Sequence, residues 1–385
     1  MRYVASFLLL AMFGCSTPPP AGRPVPIGTV AFTRTGGFAT IPALVNGDSA
    51  MLMLALGMHG VVLDTTLART RGLAAGKSGD PAGVVGTIRL PGDVELRDYL
   101  FWLGAYGRLS EASGGSLEGS VGDDFLGRLT IEVDFSAQVI RLYEPRAYTY
   151  RGSGVILPLD STLFEPVVPA MIDVDGHGAL AARLLLSSRS AHTCLLLNPS
   201  FVRRNDMVRR AAPTLRGPFL TSPSGAMQLA VGRLHTLALG PLSIDSPTVF
   251  MHEDTIDDGR EDGVIGMSLL RDARLILDYT RHRAIIEPGQ NFGHTCGFDR
   301  SGLVLKSHGP DYHRITVEYV VPGSPAADAG IHVGDQLVSL DEQGVASLDL
   351  ETIRRALMTT GAVRDVGVVR KGDTVNVKLA LRQLF

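Results

Sequence analysis

The chain has 385 residues, of which 45% are apolar and 19% charged, and its formal net charge at pH 7 is −3. This composition excludes a disordered chain and gives no reason to expect nucleic acid as a partner or strong attraction to an anionic membrane surface. The length suggests two or three domains, and 44 glycines and 22 prolines favour many short strands joined by turns.

Residues 1–14 have the pattern of a signal peptide, and Cys15 follows Gly14 directly. An apolar segment, a small residue and then Cys resembles a bacterial lipobox, although Met12 and Phe13 depart from its usual residues. The sequence therefore predicts a lipid on Cys15 and a Pro-rich tether over 15–27. We expect a bacterial envelope protein, facing the periplasm or the surface, that meets the membrane only through this lipid, with plain secretion as the alternative.

Export implies an oxidising compartment, in which cysteines form disulfides. After Cys15 the chain has only Cys194 and Cys296. One disulfide between them and two separate buried thiols are equally compatible with the sequence, which does not give the distance between them.

An internal repeat organises the middle of the chain. The segment 120–145 (SVGDDFLGRLTIEVDFSAQVIRLYEP) matches 264–288 (VIGMSLLRDARLILDYTRHRAIIEP), with Gly122 aligned to Gly266. Upstream, 60–73 parallels 194–207, and each predicts a strand, a helix cap and a short helix. Strand-like segments with alternating apolar residues lie between these units in both halves. The sequence therefore predicts two similar all-β lobes, 28–148 and 149–291.

These two lobes resemble retropepsin-like aspartyl proteases fused in tandem. The opening segment 38–73 has the family's strand ending in Asn-Gly, second strand, loop and helix, and SVG and VIG match the segment that packs beside the active-site loop. The resemblance implies a bilobal, pepsin-like arrangement. In such an enzyme each lobe supplies one Asp, and the two carboxylates share a proton and activate water.

The catalytic motif itself is degenerate in both lobes. In lobe 1 the motif falls on Ala55-Leu56-Gly57-Met58, so Ala55 replaces the aspartate while Gly57 is kept. In lobe 2 it falls on 187–190, where Ser187 replaces Asp and Arg189 replaces Gly. We therefore expect no catalytic residues.

Asp64 lies in the sequence VVLDTT and looks like part of an Asp-Thr-Gly motif. It aligns with Asn198, however, and both positions are predicted helix N-caps. The alternative is a catalytic Asp64, which would need the second carboxylate of a homodimer because residues 184–205 contain no Asp.

His59 and His192 lie in the two degenerate loops, and His192 is close in sequence to Arg189 and Cys194. A metal site or a thiol–imidazole pair is conceivable there, but no metal-binding spacing supports it, and we favour ordinary polar packing. The acidic segment 252–262 lacks the ligand order of an EF-hand loop and is predicted to be a solvated loop. We expect neither a metal nor a cofactor.

The C-terminal residues 298–385 resemble a small α/β PDZ domain of the bacterial type. The run PGSPAADAGIHVGDQLVSLD (322–341) carries the resemblance: Ser324-Pro325 begins a short helix, Gly330 ends it, and QLVSL is a strand. PDZ domains bind an extended peptide, often a C-terminus, as an added strand. The resemblance places that site at Gly302, Leu303, Val304 and Leu305.

These features together predict a mainly β envelope lipoprotein with a degenerate aspartyl-protease-like region and a PDZ domain. We expect it to bind a polypeptide or a protein C-terminus without cleaving it. Two alternatives remain open: an active aspartic endopeptidase with a rearranged or dimeric site, and a structural envelope scaffold.

Overall fold

The computed structural model of the protein describes residues 24–71, 83–91, 94–122, 129–160, 165–253, 260–294 and 296–385. The predicted signal peptide, Cys15 and most of the predicted tether fall outside these ranges, as does the centre of the acidic segment 252–262. In the described ranges the chain is mainly β, as predicted. No helix in this part of the chain is long and apolar enough to cross a bilayer.

The first part of the chain contains a hairpin at the predicted Asn-Gly turn, formed by its third and fourth strands. Its elements are β1 (Gly28–Ala31), β2 (Thr33–Thr35), β3 (Phe38–Val45), β4 (Asp48–Ala55), β5 (Val61–Asp64), α1 (Thr65–Thr70), β6 (Gly83–Leu90), β7 (Val94–Gly104), α2 (Gly107–Ser113), β8 (Gly119–Gly122), β9 (Thr130–Asp134) and β10 (Val139–Tyr143). Asn46 and Gly47 connect β3 to β4 and both have positive φ, 51° and 93°. This is the backbone conformation for which Asn-Gly is favoured in two-residue hairpins.

The middle part of the chain has a similar series of elements. They are β11 (Val155–Pro158), β12 (Val167–Asp173), β13 (Ala179–Leu186), β14 (Leu195–Leu197), α3 (Pro199–Arg204), α4 (Met207–Arg210), β15 (Leu215–Ser222), β16 (Gly225–Arg233), β17 (Thr236–Leu239), β18 (Leu242–Asp245), β19 (Thr248–His252), β20 (Gly263–Ile265), α5 (Met267–Leu270), β21 (Ala273–Asp278), a 3-10 turn (Tyr279–Arg281) and β22 (Arg283–Pro288). Asn198 occupies the N-cap position of α3, but its side chain donates to the Glu261 carbonyl rather than capping the helix. Asn198 is therefore the N-cap residue, as predicted, without the side-chain hydrogen bond to the helix that is typical of this position.

Two sheets built from these parts have the same strand order. The N-terminal sheet runs β2-β3-β4-β8-β5-β7-β6, and the middle sheet runs β15-β16-β19-β14-β20-β13-β12-β17-β18. The series β3-β4-β8-β5-β7-β6 thus corresponds to β12-β13-β20-β14-β19-β16. Corresponding pairs also agree in direction, since β4–β8 and β13–β20 are parallel while β5–β8 and β14–β20 are antiparallel. The sequence repeat is therefore reflected in a repeated sheet topology.

A third sheet joins the two parts and is called here the shared sheet. Its order is β1-β10-β9-β21-β22-β11, so each part contributes three strands and β9 pairs with β21 at the centre. The aspartates aligned by the repeat have the same role in it. Asp134 accepts a hydrogen bond from the Ala137 N–H at 2.8 Å, and Asp278 accepts one from the Arg281 N–H at 3.3 Å, so both close the turn that follows their strand.

The C-terminal unit (residues 298–385) has its own hydrophobic core, separate from the continuous core of the three sheets. Its elements are β23 (Leu303–His308), β24 (Arg314–Val320), α6 (Pro325–Asp328), β25 (Gln336–Leu340), β26 (Gln343–Gly344), a 3-10 turn (Val345–Ser347), α7 (Leu350–Leu357), β27 (Val363–Arg370) and β28 (Asp373–Ala380). Leu350, Ile353 and Leu357 are buried on one face of α7, as their spacing predicts. Asp349 caps this helix by accepting from the Thr352 N–H at 2.6 Å.

Candidate functional site

The two degenerate motifs lie at corresponding places in the two sheets. Ala55 is the last residue of β4 and pairs with Gly122 at the end of β8. Ser187 directly follows β13, and its N–H donates to the Ile265 carbonyl at the end of β20. Both positions are buried, with exposed fractions of 0% and 3%.

The loops that follow Ala55 and Ser187 contact each other through the buried hydroxyl of Ser188. This Oγ accepts a hydrogen bond from the Leu56 N–H at 2.9 Å and donates one to the Leu54 carbonyl at 2.5 Å. Arg189 reaches the Gly57 carbonyl at 3.5 Å. The contact between the two loops therefore consists of backbone groups, one buried hydroxyl and one guanidinium.

A glycine at the end of a strand supports each loop. A Cβ on Gly122 would lie 2.1 Å from the Met58 carbonyl oxygen, and a Cβ on Gly266 would lie 2.1 Å from Thr193 Oγ1 and 2.6 Å from the Ser190 carbonyl oxygen. Real Cβ atoms do not approach so closely, so only glycine fits at these two places. The repeated glycines therefore have the same packing role beside the two loops.

The Asp64 carboxylate contacts backbone N–H groups. Its Oδ1 accepts hydrogen bonds from the N–H groups of Thr66 and Leu67 at 2.8 and 3.2 Å, which is N-cap geometry for α1. Its Oδ2 accepts from the Tyr106 N–H at 2.9 Å. Both oxygens of Asp64 thus hold backbone donors.

The structure does not bring the loop histidines and Cys194 together as a reactive site. His59 lies 3.9 Å from a carboxylate oxygen of Glu165, whereas the His192 imidazole contacts the C-terminal unit. Cys194 forms a disulfide with Cys296, so the thiol–imidazole pair is wrong. Within the described ranges, no group of three or more His, Cys, Asp or Glu side chains is arranged to hold a metal ion.

A cavity lies between the C-terminal unit and the middle sheet, with an empty volume of about 870 Å³ that includes some open solvent. Leu303, Val304 and Leu305 of β23 line one wall, and α7 lines another. The middle sheet contributes three apolar side chains, namely Phe219, Leu220 and Phe250. Three of the four predicted peptide-binding residues therefore line a groove between a strand and a helix, whose walls carry both apolar and charged side chains.

The loop that enters β23 is closed by a carboxylate of this chain. Oδ1 of Asp299 accepts hydrogen bonds from three successive N–H groups, those of Ser301 (2.8 Å), Gly302 (2.5 Å) and Leu303 (3.3 Å). The Ser301 hydroxyl donates to the same oxygen at 2.8 Å. Burial raises the pKa of the Asp299 carboxyl to about 6, and the hydrogen bonds oppose this shift.

Arg354 of α7 crosses the groove. Its Nη2 donates to the carbonyl oxygens of Leu305 at 3.0 Å and Ala112 at 2.8 Å, and its Nη1 lies 3.0 Å from Nε2 of His192. Burial lowers the pKa of the Arg354 guanidinium to about 10, which leaves it charged at neutral pH. Burial and the nearby Arg354 charge hold the pKa of His192 well below its ordinary value, so the imidazole is neutral and accepts from Arg354.

Sequence reasoning missed Asp299 and Arg354. The run Asp-Arg-Ser-Gly before a strand is a recognisable signal, because Asp side chains often accept hydrogen bonds from N–H groups a few residues further along. Arg354 has no such signal, since its partners Ala112 and His192 are 242 and 162 residues away.

Comparison with known proteins concerns the C-terminal unit. A family model for the PDZ domain matches residues 295–369. The periplasmic serine endoprotease DegP of Escherichia coli K12 is 37% identical over 67 residues, which are 17% of this chain and 14% of DegP. The chain thus spans only a small part of this relative's length.

Two solved structures are also similar to part of this chain. The photosystem II D1 C-terminal processing protease is 24% identical, with a TM-score of 0.21, over 23% of this chain and 24% of that one. The HtrA3 PDZ domain bound to the phage-derived ligand FGRWV is 22% identical, with a TM-score of 0.20, over 22% of this chain and 84% of that one. On the family match and the identity to DegP, residues 295–369 of this chain are a PDZ domain.

Proposed function

We propose that this protein is a non-catalytic, aspartyl-protease-like lipoprotein of the bacterial envelope that binds extended polypeptide in its PDZ groove. The repeated strand order of the N-terminal and middle sheets supports a tandem retropepsin-like arrangement of residues 28–148 and 149–291. The PDZ match supports a polypeptide ligand, because these domains take a peptide as an added strand. The similarity to the periplasmic DegP supports an envelope location.

The observation that carries the non-catalytic part of the proposal is the identity of the side chains at the two corresponding strand ends. Ala55 and Ser187 stand where the mechanism needs two carboxylates, and neither a methyl group nor a hydroxyl can share and transfer a proton as that pair does. Asp64, on which the alternative of an active endopeptidase depends, already accepts three backbone hydrogen bonds.

The test combines a cleavage assay and a binding assay on the purified protein. We expect no cleavage of denatured protein substrates between acid and neutral pH. Cleavage that pepstatin inhibits and that Asp64→Asn abolishes would establish the endopeptidase alternative.

For binding, we expect immobilised extended peptides to capture the wild-type protein and not the Met358→Glu variant, because Met358 lines the groove. The matched control is Thr359→Glu, which adds the same charge at the next, exposed residue and should bind normally. Equal binding by both variants, or none by the wild type, would favour the structural scaffold.

A further inference from the structure

The edge of β23 that faces α7 contacts side chains of the same chain at two points. The Leu303 N–H points to the Asp299 carboxylate, and the Leu305 carbonyl accepts from the Arg354 guanidinium. Residues two apart in a strand direct their backbone groups to the same edge, so both contacts lie on the edge opposite β24. This is the edge at which an added peptide strand would pair.

Asp299 and Arg354 supply the same kinds of group as the C-terminal end of a bound peptide, namely a carboxylate and an N–H donor. A peptide added to a PDZ strand offers its C-terminal carboxylate to the N–H groups of the entering loop, and its own N–H groups to carbonyls of the strand. In this chain, Asp299 supplies a carboxylate to the loop and Arg354 supplies an N–H donor to Leu305. We propose that Asp299 occupies the carboxylate-binding position of the groove and excludes ligands with a free C-terminus, which leaves internal extended segments as the ligand class.

The exclusion follows from charge and from the number of donors. A second carboxylate at this loop would have to share three N–H groups with Asp299, and two like charges so close repel each other strongly. An internal segment brings no such charge. It would compete with Asp299 for the Leu303 N–H through a neutral carbonyl, and with Arg354 for the Leu305 carbonyl, while Arg354 keeps its contacts with Ala112 and His192.

This inference rests on the proposed polypeptide binding. Its test distinguishes a failure of the inference from a failure of the proposed function. The probes are N-terminally labelled decapeptides ending in Val, Leu, Phe or Ala, each made with a free C-terminal carboxylate and with a C-terminal amide. Fluorescence anisotropy at pH 7.5 gives the affinity of the full chain for both forms. We expect the wild type to bind the free acid no better than the amide.

Two variants test whether Asp299 causes this. Asp299→Ala frees the N–H groups of Ser301 and Gly302 and leaves the Leu303 N–H with the Ser301 hydroxyl at 3.1 Å. This variant should prefer the free acid by roughly 10-fold or more, since hydrogen bonds to charged groups are worth about 1.5–3 kcal/mol. Asp299→Asn keeps an acceptor in the loop without the charge and should show a smaller preference. The control is Asp311→Asn, because Asp311 also accepts a backbone hydrogen bond but lies exposed in a turn.

A change of pH tests the wild type without mutation. Asp299 takes up a proton near pH 6, whereas a peptide C-terminus with a pKa of about 3.5 stays charged at pH 5. Binding of the free acid should therefore rise as the pH falls from 7.5 to 5, and this rise should be absent in Asp299→Asn.

Other charged groups face Asp299 across the cavity, and their effect on the pH dependence must be distinguished from that of Asp299. They are Glu351, Arg354 and Arg355 on α7, and Arg271 and His192 opposite. Arg354 keeps its charge in this pH range because its pKa, about 10, lies well above it, and burial holds the pKa of His192 well below its ordinary value. Burial raises the pKa of Glu351, so Glu351→Gln should retain the rise in binding if Asp299 is its source.

Several outcomes would overturn the inference. A wild-type preference for the free acid, or an Asp299→Ala variant that binds amides yet gains no preference, would do so while leaving polypeptide binding intact. A pH response unchanged in Asp299→Asn would also contradict it. If no variant binds any of the peptides, the proposed function fails together with this inference.

Discussion

At the scale of single residues, Ser188 is the link between the two degenerate loops. Its hydroxyl is fully buried and holds both the Leu56 N–H and the Leu54 carbonyl, so the contact crosses from the middle sheet to the N-terminal sheet. A buried donor or acceptor that loses its partner costs about 1–3 kcal/mol. The Ser188 hydroxyl therefore supplies a buried polar contact that joins the two sheets.

We predict that Ser188→Ala lowers the free energy of unfolding by about 1–3 kcal/mol, because it leaves two buried backbone groups unpaired. Urea denaturation followed by tryptophan fluorescence measures this. The control is Ser187→Ala, since Ser187 Oγ accepts only within its own loop, from the Arg189 N–H at 3.2 Å. If Ser187→Ala lowered the free energy of unfolding as much as Ser188→Ala, the hydrogen bonds between the two sheets would not be the source of the effect.

At the scale of elements, the sequence predicted those turns and helix faces that depend only on neighbouring residues. The Asn-Gly hairpin and the buried face of α7 both follow from a few neighbouring residues, and the structure has both. Asn198 shows the limit: it is the N-cap residue, as predicted, but its side chain bonds Glu261, 63 residues away, instead of the helix. A nearby sequence pattern does not reveal such a competing partner.

The ends of β8 and β20 give an element-scale prediction. Gly122→Ala would place a Cβ 2.1 Å from the rigid Met58 carbonyl oxygen, so the strand and the loop must separate. We expect it to lower the free energy of unfolding by about 1–3 kcal/mol or more, and Gly266→Ala to act similarly. Thermal denaturation checks both variants.

The control for these variants is Gly107→Ala at the start of α2, where a Cβ meets nothing within 4 Å. It should be neutral or slightly stabilising, because alanine has less conformational freedom in the unfolded chain and favours helix. If Gly122→Ala were as stable as Gly107→Ala, the proposed packing of β8 against the loop would be wrong.

At the scale of the whole molecule, the sequence repeat predicted two similar β parts, but no pattern predicted how the PDZ domain lies on them. That arrangement depends on contacts between distant residues. Phe298 packs on Phe219 and Phe250 of the middle sheet, with ring centroids 5.4 and 6.0 Å apart, and His308 lies 3.4 Å from Glu111. Arg354 bonds Leu305 in the groove and also Ala112 in the N-terminal part of the chain. The contacts inside the groove are therefore coupled to the packing of the PDZ domain on the other sheets.

The disulfide between Cys194 and Cys296 makes this coupling testable. It ties the loop beside the second degenerate motif to the segment that enters the PDZ domain, and it closes 102 residues of chain. A loop of this length implies a contribution to stability of about 2–5 kcal/mol. Without it, the docking rests on noncovalent contacts, among them the Phe298 ring contacts and the hydrogen bond from Arg354 to the Ala112 carbonyl.

We predict that reduction of the wild-type protein lowers the free energy of unfolding by about 2–5 kcal/mol and speeds amide hydrogen exchange along β23, because Arg354 and the loop before β23 loosen together. Hydrogen exchange with mass spectrometry on peptides covering 296–310 measures the second effect. The Cys194→Ser/Cys296→Ser double variant should behave like the reduced protein and should not respond to reductant. Unchanged exchange on reduction would show that the aromatic contacts of Phe298 hold the PDZ domain in place without the disulfide.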